Sequence, residues 1–270
     1  LLQGELDRWE SRIRAAYAGI PANEPLDLAL AAAVATFPVP MALWLNFLDA
    51  MRFDIVKPRF DTFNEFLAYG EGATVAPTSI YVYLLTAESQ PDGRYRVGDF
   101  DFVTCGRHLG LFAYIAHVLR DVCDDLRVGQ QGLVYLSQAD LRAHQLTETD
   151  LRALAAGRST DAIRNRWRAL VHDICGRARP MQQAGHHMAS TAWATTPTDC
   201  AFIFRLIVDT YGALLDRIDG DPDCVLRTQP VLGDADKRML ARAAAEASGF
   251  RLPMSAALRR STDLRSVRHA

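Results

Sequence analysis

The sequence lacks several features that would place it in other classes of protein. Its five cysteines form no CxxC pair, so they give no support to a zinc site, and an odd number cannot all pair within one chain. The 30 lysines and arginines nearly balance the 32 aspartates and glutamates, so no basic field is present to attract nucleic acid. We therefore expect a cytoplasmic protein in a reducing compartment, with no nucleic-acid partner.

The sequence also shows no clear pattern of a signal peptide or of a membrane-spanning segment. The first residues, LLQGELDRWESRIR, are charged and have no apolar core of the signal-peptide kind. Residues 28–48 carry no charge and approach the length that spans a bilayer. Pro38 and Pro40 interrupt this stretch, and proline removes an amide donor from a helix. The stretch predicts two core helices that meet at a break.

Helical periodicity dominates the chain, and the alternation typical of half-buried strands is nearly absent. No internal repeat and no long polar linker is visible, so we predict one all-α domain over residues 1–270. Residues 89–100 could form a short hairpin or a loop, and we expect the loop. The clearest helical segments are 5–17, 41–53, 78–87, 106–126, 160–179 and 200–218.

The most informative segment is a mostly apolar helix that ends in a cluster of acids. Residues four apart on a helix share a face, so Asp121 and Asp125 project together, with Asp124 beside them and Arg120 before them. Two such carboxylates can share magnesium ions, which take oxygen ligands and commonly bridge to substrate phosphates. Neutralising the charge of a bound diphosphate makes it a better leaving group.

An acid pair four residues apart is also common on solvated helix faces, and that is the alternative interpretation. The setting favours a site, because residues 109–119 are apolar on nearly every side and predict a buried helix. A buried helix seldom ends in three acids without a counter-charge or a metal ion.

This acidic segment, HVLRDVCDDLRVGQQGLVYLSQADL, resembles the second aspartate-rich motif of the squalene/phytoene synthase family. In that family an Asn-x-x-Arg-Asp-x-x-x-Asp helix is followed by a short loop and by an aromatic-containing segment that leads into another helix. The resemblance implies that Asp121 and Asp125 bind magnesium and that Tyr135 is the loop tyrosine.

A second stretch, NFLDAMRFDIVKPRFDTFNEFLAYGEGATVAP, resembles the family's Asp-Gly-Met-x-x-Asp helix, its Arg-Tyr pair and its Tyr…Ala-Gly-x-Val-Gly segment. The corresponding residues are Asp49, Asp54, Arg59 and Tyr69. A weaker third piece, residues 211–237, is similar to the family's closing helix and the turn and lysine after it. The three pieces follow the family's order and cover most of the chain.

The sequence also departs from the family pattern. It contains no earlier Asp-Asp-x-x-Asp motif, so either the sequence lacks that segment or the protein has lost half of its metal site. The family's Asn and Gln positions are His117 and Tyr114, and Leu133 replaces a basic residue before the loop tyrosine. The family's paired glycines are shifted to residues 72–76. These departures indicate a divergent subgroup.

The resemblance implies an all-α bundle of the class I isoprenoid synthase type, with a central cavity that is apolar along its length and acidic at its mouth. It implies a magnesium-dependent prenyltransferase that joins two farnesyl or geranylgeranyl diphosphates head to head, through a cyclopropyl intermediate or its rearranged hydrocarbon. Water must be kept from the carbocation. The expected wall residues are Phe47, Phe53, Phe66, Tyr69, Tyr81, Phe112 and Tyr114.

Prenyl chain length and NADPH use stay open, since no dinucleotide fingerprint is present and some family members need none. An apolar product implies peripheral contact with the inner membrane, where such a product can be released.

Several of these residues have a second interpretation. Tyr69 could exchange a proton at the carbocation or simply pack as an amphipathic side chain. His117, one turn before Asp121, could act in the site or hydrogen-bond a neighbour. Arg59 and Arg120 suit diphosphate oxygens by their planar guanidinium groups, but surface ion pairs are the ordinary use of arginine.

His186 and His187 have no acidic or cysteine partner at ligand spacing in the sequence. We therefore interpret them as surface histidines or satisfied core histidines rather than metal ligands.

Two other functions fit the same sequence. A non-catalytic family member, similar to the mitochondrial complex I assembly factor of this fold, would be a scaffold protein and would account for the missing first motif. A terpene cyclase would act on one prenyl diphosphate. Magnesium-dependent release of pyrophosphate separates an enzyme from a scaffold, and the carbon count of the product separates condensation from cyclisation.

Overall fold

A computed structural model of the chain describes residues 2–56, 59–127, 133–227 and 232–252, except for the side chain of Arg227. Residues 128–132, which fall in the short loop that the family resemblance implies after the acidic helix, lie outside the described residues. The rest is helical almost throughout, which confirms the all-α prediction. The helices are α1 (Leu2–Ala18), α2 (Pro25–Thr36), α3 (Met41–Ile55), α4 (Phe63–Gly70), α5 (Ala76–Thr86), α6 (Phe102–Asp125), α7 (Gln138–Ala143), α8 (Glu148–Ala155), α9 (Asp161–Trp193), α10 (Thr198–Gly220), α11 (Cys224–Arg227) and α12 (Asp234–Ser248).

Helix α6 is the central element, because it packs against α5, α9 and α10. Leu109, Ile115 and Leu119 on this helix are buried in the main core. In the described part of the chain, α6 is the one helix long and apolar enough to cross a bilayer. More than half of its apolar window, 56%, is buried inside the fold, as is typical of a core helix. The predicted buried helix that ends in acids is therefore present.

Glycines on α6 and α9 let the helices approach closely. A Cβ atom on Gly106 would lie 2.4 Å from the hydroxyl oxygen of Ser79 on α5. A Cβ atom on Gly185 of α9 would lie 2.7 Å from a methyl group of Leu109. Only glycine fits at such contacts, because native cores have no room for an extra carbon.

The chain between α4 and α5 continues as a π-helical turn, Glu71–Val75. A Cβ atom on Gly72 would lie 2.5 Å from the backbone oxygen of Asn46, so α3 passes close to this turn. Turns of this kind are frequent near functional sites. The small residues of this segment thus allow both the widened turn and the approach of α3.

The break predicted within residues 28–48 is confirmed, because α2 ends at Thr36 and α3 begins at Met41. The loop expected at residues 89–100 is wrong in part. Two short strands, β1 (Glu88–Ser89) and β2 (Tyr95–Arg96), pair antiparallel there. Gly93 adopts a φ of +78°, which glycine tolerates and which allows the chain to reverse.

Helix α9 runs well past the end predicted at residue 179. Pro180 lies inside it and removes one amide donor, which is why the sequence indicates an end at that point. Buried residues nevertheless lie on both sides of the proline, including Ile174, Ala178 and Ala189. Packing against α6 therefore maintains the helix beyond the proline.

Candidate active site

The end of α6 brings Asp121 together with the two basic side chains predicted beside it. Arg120 donates from Nε and Nη2 to the two oxygens of Asp121, each at 2.7 Å. His117 Nε2 lies 2.9 Å from Oδ2 of the same carboxylate. The Asp121 side chain is only 13% exposed, so it does not point into bulk solvent.

The surroundings of the histidine in this cluster favour its neutral form. Burial and the adjacent guanidinium of Arg120 lower the pKa of His117. Its contact with Asp121 fits the interpretation of a histidine that hydrogen-bonds a neighbour.

Asp125 lies one turn further along α6 and differs from the exposed acid beside it. Burial, and then the negative charges of Asp121 and Asp124, raise the pKa of Asp125 to about 6. The Asp124 side chain is 58% exposed and is paired with Arg127 at 2.9 Å. Asp125 is therefore a partly buried carboxylate with too little positive charge around it.

Asp121 and Asp125 are the candidate metal ligands. Within the described ranges, no three His, Cys, Asp or Glu side chains are grouped so that they could hold a metal ion. Magnesium, however, is commonly held by one or two carboxylates together with the phosphates of a substrate. Asp121 and Asp125 on one face of α6 fit that second arrangement, and a cation would relieve the mutual repulsion that raises the pKa of Asp125.

Tyr69 and Asp54 form the second cluster. The Tyr69 hydroxyl lies 2.8 Å from both oxygens of Asp54 and donates to that carboxylate. Burial, and next the bond to Asp54, raise the pKa of Tyr69. Burial also raises the pKa of Asp54, opposed by hydrogen bonds from Tyr69 and Tyr135. The members of this cluster thus come from three places in the chain: Asp54 from α3, Tyr69 from α4 and Tyr135 from the segment before α7.

The Tyr69–Asp54 pair is set in a continuous aromatic cluster. Ring centroids of Tyr69 lie 6.0 Å from Tyr114 and 6.2 Å from Tyr135. Burial, then Asp54 and Asp125, raise the pKa of Tyr135 to about 12. The cluster consists of Phe53, Phe60, Phe63, Phe66, Tyr69, Tyr114 and Tyr135.

One apolar cavity lies between α5, α6 and α10, and we call it the α5–α6–α10 cavity. Its volume is about 560 Å³. The α6 side of the wall includes His117, one helical turn before Asp121, so the acids lie just beyond the cavity. Other lining residues are Tyr81, Phe112, Tyr114, Phe204, Ile207 and Tyr211.

A second cavity of about 700 Å³ lies between α3 and α4, and we call it the α3–α4 cavity. Tyr69 lines this cavity and Tyr114 lines the other, so the tyrosine contact is part of the wall between them. Asp49 also lines it, but its side chain is 70% exposed and accepts a hydrogen bond from Arg52 at 2.9 Å. The remaining lining residues include Asn46, Phe53, Arg59, Phe60, Glu65 and Glu71.

Two of the expected wall residues lie elsewhere. Phe47 packs beside a separate apolar cluster that contains Leu43 and Ile80. Phe66 is buried and stacks on Tyr114 with ring centroids 5.0 Å apart. Helical periodicity identified both as apolar, but it does not reveal which neighbour each side chain meets.

No sequence pattern identifies Glu148, which holds one of the predicted site residues, Arg59. Arg59 Nε donates to Glu148 Oε1 at 3.0 Å across 89 positions of sequence. Gln138 and Arg152 donate to the same carboxylate. The backbone amide of Gln138 also donates to the carbonyl of Phe60, so the segment after α3 is joined to the start of α7.

The histidine pair on α9 does not belong to either cluster. The His186 ring meets the Trp193 ring edge-on, with centroids 5.1 Å apart. Its Nε2 lies 4.0 Å from Asp209 on α10, an acid that sequence spacing could not place there. No described cluster of metal-binding type includes either His186 or His187.

Comparison with known proteins agrees with the motifs and the fold. A family model described as squalene/phytoene synthase matches residues 2–235. Chloroplastic phytoene synthase 3 of Zea mays is 33% identical over 176 residues, 64% of this chain and 37% of that protein. The chloroplastic phytoene synthase of Daucus carota is 31% identical over 176 residues, 64% of this chain and 40% of that protein. The chain thus spans less than half the length of these plant relatives.

Two solved structures share the fold. A squalene synthase from Alicyclobacillus acidocaldarius has a TM-score of 0.65 and 24% identity, and the match covers 80% of this chain and 73% of that one. A dehydrosqualene synthase solved with a ligand has a TM-score of 0.68 and 17% identity, with coverage of 92% and 80%. Since the family model matches nearly the whole chain and the motif residues lie in that match, the chain belongs to the squalene/phytoene synthase family.

Proposed function

We propose that this protein is a prenyltransferase that joins two prenyl diphosphates head to head, with loss of diphosphate. The observation that carries the proposal is the position of Asp121 and Asp125 at the end of buried α6, beside an apolar cavity whose wall includes His117. A prenyl diphosphate has a charged end and a long apolar chain. The acids at the end of α6 would bind the charged diphosphate end through a cation, and the cavity would bind the apolar chain.

Asp121 and Asp125 are the residues that would hold a divalent metal ion together with diphosphate oxygens. A bound magnesium ion would neutralise charge on the departing diphosphate and so favour ionisation of the allylic substrate. Arg120 donates to Asp121 from Nε and Nη2, so Nη1 is the nitrogen that would donate to diphosphate oxygens.

The remaining residues bind and shield the substrate. Arg59, held by Glu148, contributes positive charge to the α3–α4 cavity, where Asp49 also lies. Tyr114 and Tyr135 surround Tyr69 and help to exclude water from a carbocation. We expect farnesyl or geranylgeranyl diphosphate as substrate and peripheral contact with a membrane that receives the apolar product.

One observation favours the non-catalytic alternative. Asp121 is already engaged by Arg120 and His117, and the described residues contain no three-ligand metal group. A scaffold protein of this fold would have no need to release Asp121 from these partners. The enzyme hypothesis requires that a cation and a diphosphate together compete for that carboxylate.

The test is magnesium-dependent release of pyrophosphate from farnesyl or geranylgeranyl diphosphate by the full chain. Asp121→Asn removes one proposed ligand without changing the size of the side chain, and we expect a loss of about 100-fold or more. Asp124→Asn makes the same change of charge on the exposed side of α6 and should retain most of the activity. Equal rates for the wild type and Asp121→Asn would refute the assignment.

A further inference from the structure

Tyr69 connects the α3–α4 cavity with Asp54, a carboxylate that this cavity does not reach. Its hydroxyl donates to Asp54 at 2.8 Å and accepts a hydrogen bond from Tyr114. Tyr69 lines the α3–α4 cavity, whereas Asp54 lines neither of the two cavities described above. A hydroxyl oxygen has two lone pairs, so one lone pair of Tyr69 is left for a group in the cavity.

We propose that Asp54 is the terminal acceptor of a two-step proton relay, in which Tyr69 takes a proton from the substrate and passes its own hydroxyl proton to Asp54. This inference rests on the proposed head-to-head condensation. It gives Asp54 a positioning role through Tyr69 in place of direct contact with the substrate.

The relay meets a specific chemical need of that reaction. After the double bond of one substrate has attacked the allylic cation of the other, closing a cyclopropane ring requires the loss of one C–H proton. The electron pair of that C–H bond becomes the new C–C bond. The proton moves to the Tyr69 oxygen, and the proton that Tyr69 carried moves to Asp54. Tyr69 ends neutral, as it began, and the Asp54 carboxylate ends as a carboxylic acid.

Asp54 is needed because a neutral phenol alone is a very weak base. Passing the hydroxyl proton to a carboxylate avoids a protonated phenol, and burial makes Asp54 a better proton acceptor than a solvated aspartate. The groups that face the pair are Tyr114 from α6 and Tyr135 from the segment before α7. Tyr135 also donates to Asp54 and so helps to fix its orientation.

Asp54→Asn tests the relay, because the amide can still accept the Tyr69 hydrogen bond but cannot accept its proton. We measure, in a single turnover with magnesium and farnesyl diphosphate, the amount of cyclopropyl product formed for each pyrophosphate released. The expected result is that this ratio falls about 100-fold, while the tertiary cation left after the first C–C bond has formed is captured by water as an alcohol that contains both prenyl chains. Asp54→Glu should recover part of the ratio, and Asp61→Asn, an exposed acid after α3, should leave it unchanged.

A spectroscopic measurement on the same variant reports on the pair directly. Removing the Asp54 charge should lower the pKa of Tyr69, so tyrosinate absorption should appear at lower pH in Asp54→Asn than in the wild type. Adding Tyr69→Phe should abolish that difference. If Asp54→Asn does not fold, Tyr69→Phe alone should give the same fall in the product ratio.

The outcomes separate this inference from the proposed function. A wild-type protein that releases no pyrophosphate overturns the condensation and the relay together. Release of pyrophosphate by the wild type, with the same product ratio in Asp54→Asn, overturns the relay alone.

Discussion

At the scale of single residues, three aspartates within five positions of α6 have different properties because their surroundings differ. Asp121 is held by Arg120 and His117, Asp124 is exposed and paired with Arg127, and Asp125 is partly buried beside other negative charges. Burial and the neighbouring negative charges raise the pKa of Asp125 to about 6. Negative charges gathered in this way repel one another and lower the stability of the folded state, and they favour the binding of a cation.

This loss of stability predicts how Asp125→Asn behaves in metal-free protein. Since the folded state holds the Asp125 proton up to about pH 6, it binds more protons than the unfolded state between about pH 4 and 6. Stability attributable to this group therefore falls as pH rises through that window. We expect Asp125→Asn to raise the free energy of unfolding at pH 7 by about 1–2 kcal/mol, less than the whole shift implies because the carboxylate is partly solvated.

Urea denaturation at pH 7 and pH 4, with a chelator present, measures this effect. The difference between Asp125→Asn and the wild type should become small at pH 4, where Asp125 is protonated in the folded state and about half protonated in the unfolded state. Asp124→Asn is the matched control and should change stability little at either pH. A destabilised Asp125→Asn at pH 7 would contradict the environment described for this carboxylate.

Much of this residue-scale detail could be predicted from the sequence, and some could not. Helical spacing places Asp121, Asp125 and His117 on one face, and the structure agrees. The bond from Arg59 to Glu148 could not be predicted, because the two residues are 89 positions apart and no local pattern links them. Hydrogen bonds between distant segments depend on the complete fold.

At the scale of helices, close approach of α5 and α6 determines the shape of the cavity wall. Gly106 on α6 meets Ser79 of α5, and Gly110 meets Thr78 and the backbone of Thr74 and Val75. These contacts bring α6 against the π-helical turn and α5, and the α5–α6–α10 cavity opens on the neighbouring face. Periodicity predicted both helices but could not predict how closely they approach.

Gly106→Ala tests this packing. An added methyl group would lie 2.4 Å from Ser79 Oγ and 2.7 Å from Ser79 Cα, so backbone must shift. We expect a loss of about 1–3 kcal/mol of stability. Gly176→Ala on α9 is the control, because its Cβ atom would have no neighbour within 4 Å, and it should gain about 0.5–1 kcal/mol from helix propensity. Equal stabilities for the two variants in urea denaturation would show that the contact at Gly106 is unimportant.

Two element-scale predictions failed for reasons that come from tertiary structure. Pro180 indicates a helix end in sequence, yet α9 continues because packed residues on both sides of it contact the core. The loop expected at residues 89–100 contains a short hairpin whose Tyr95 carbonyl accepts a bond from Tyr83 on α5. Local sequence patterns do not reveal which residues from distant parts of the chain pack against these segments.

At the scale of the whole molecule, charge and apolar surface are separated along α6. The helix passes through the core, borders the α5–α6–α10 cavity and ends in the acids. The aromatic cluster around Tyr69 forms the wall between that cavity and the α3–α4 cavity. The fold class and the acidic motif could be predicted from the sequence, but the two cavities and their shared wall required the arrangement of five helices in space.

The proposed function requires that Asp121 and Asp125 hold a divalent cation jointly with a diphosphate. Calorimetric titration of the full chain with inorganic pyrophosphate, with and without magnesium, tests it most directly. We expect pyrophosphate to bind at least about tenfold more tightly with magnesium present, and this gain to be lost in Asp121→Asn and kept in Asp124→Asn. Pyrophosphate binding that is indifferent to magnesium, or a gain that survives in Asp121→Asn, would contradict the claim.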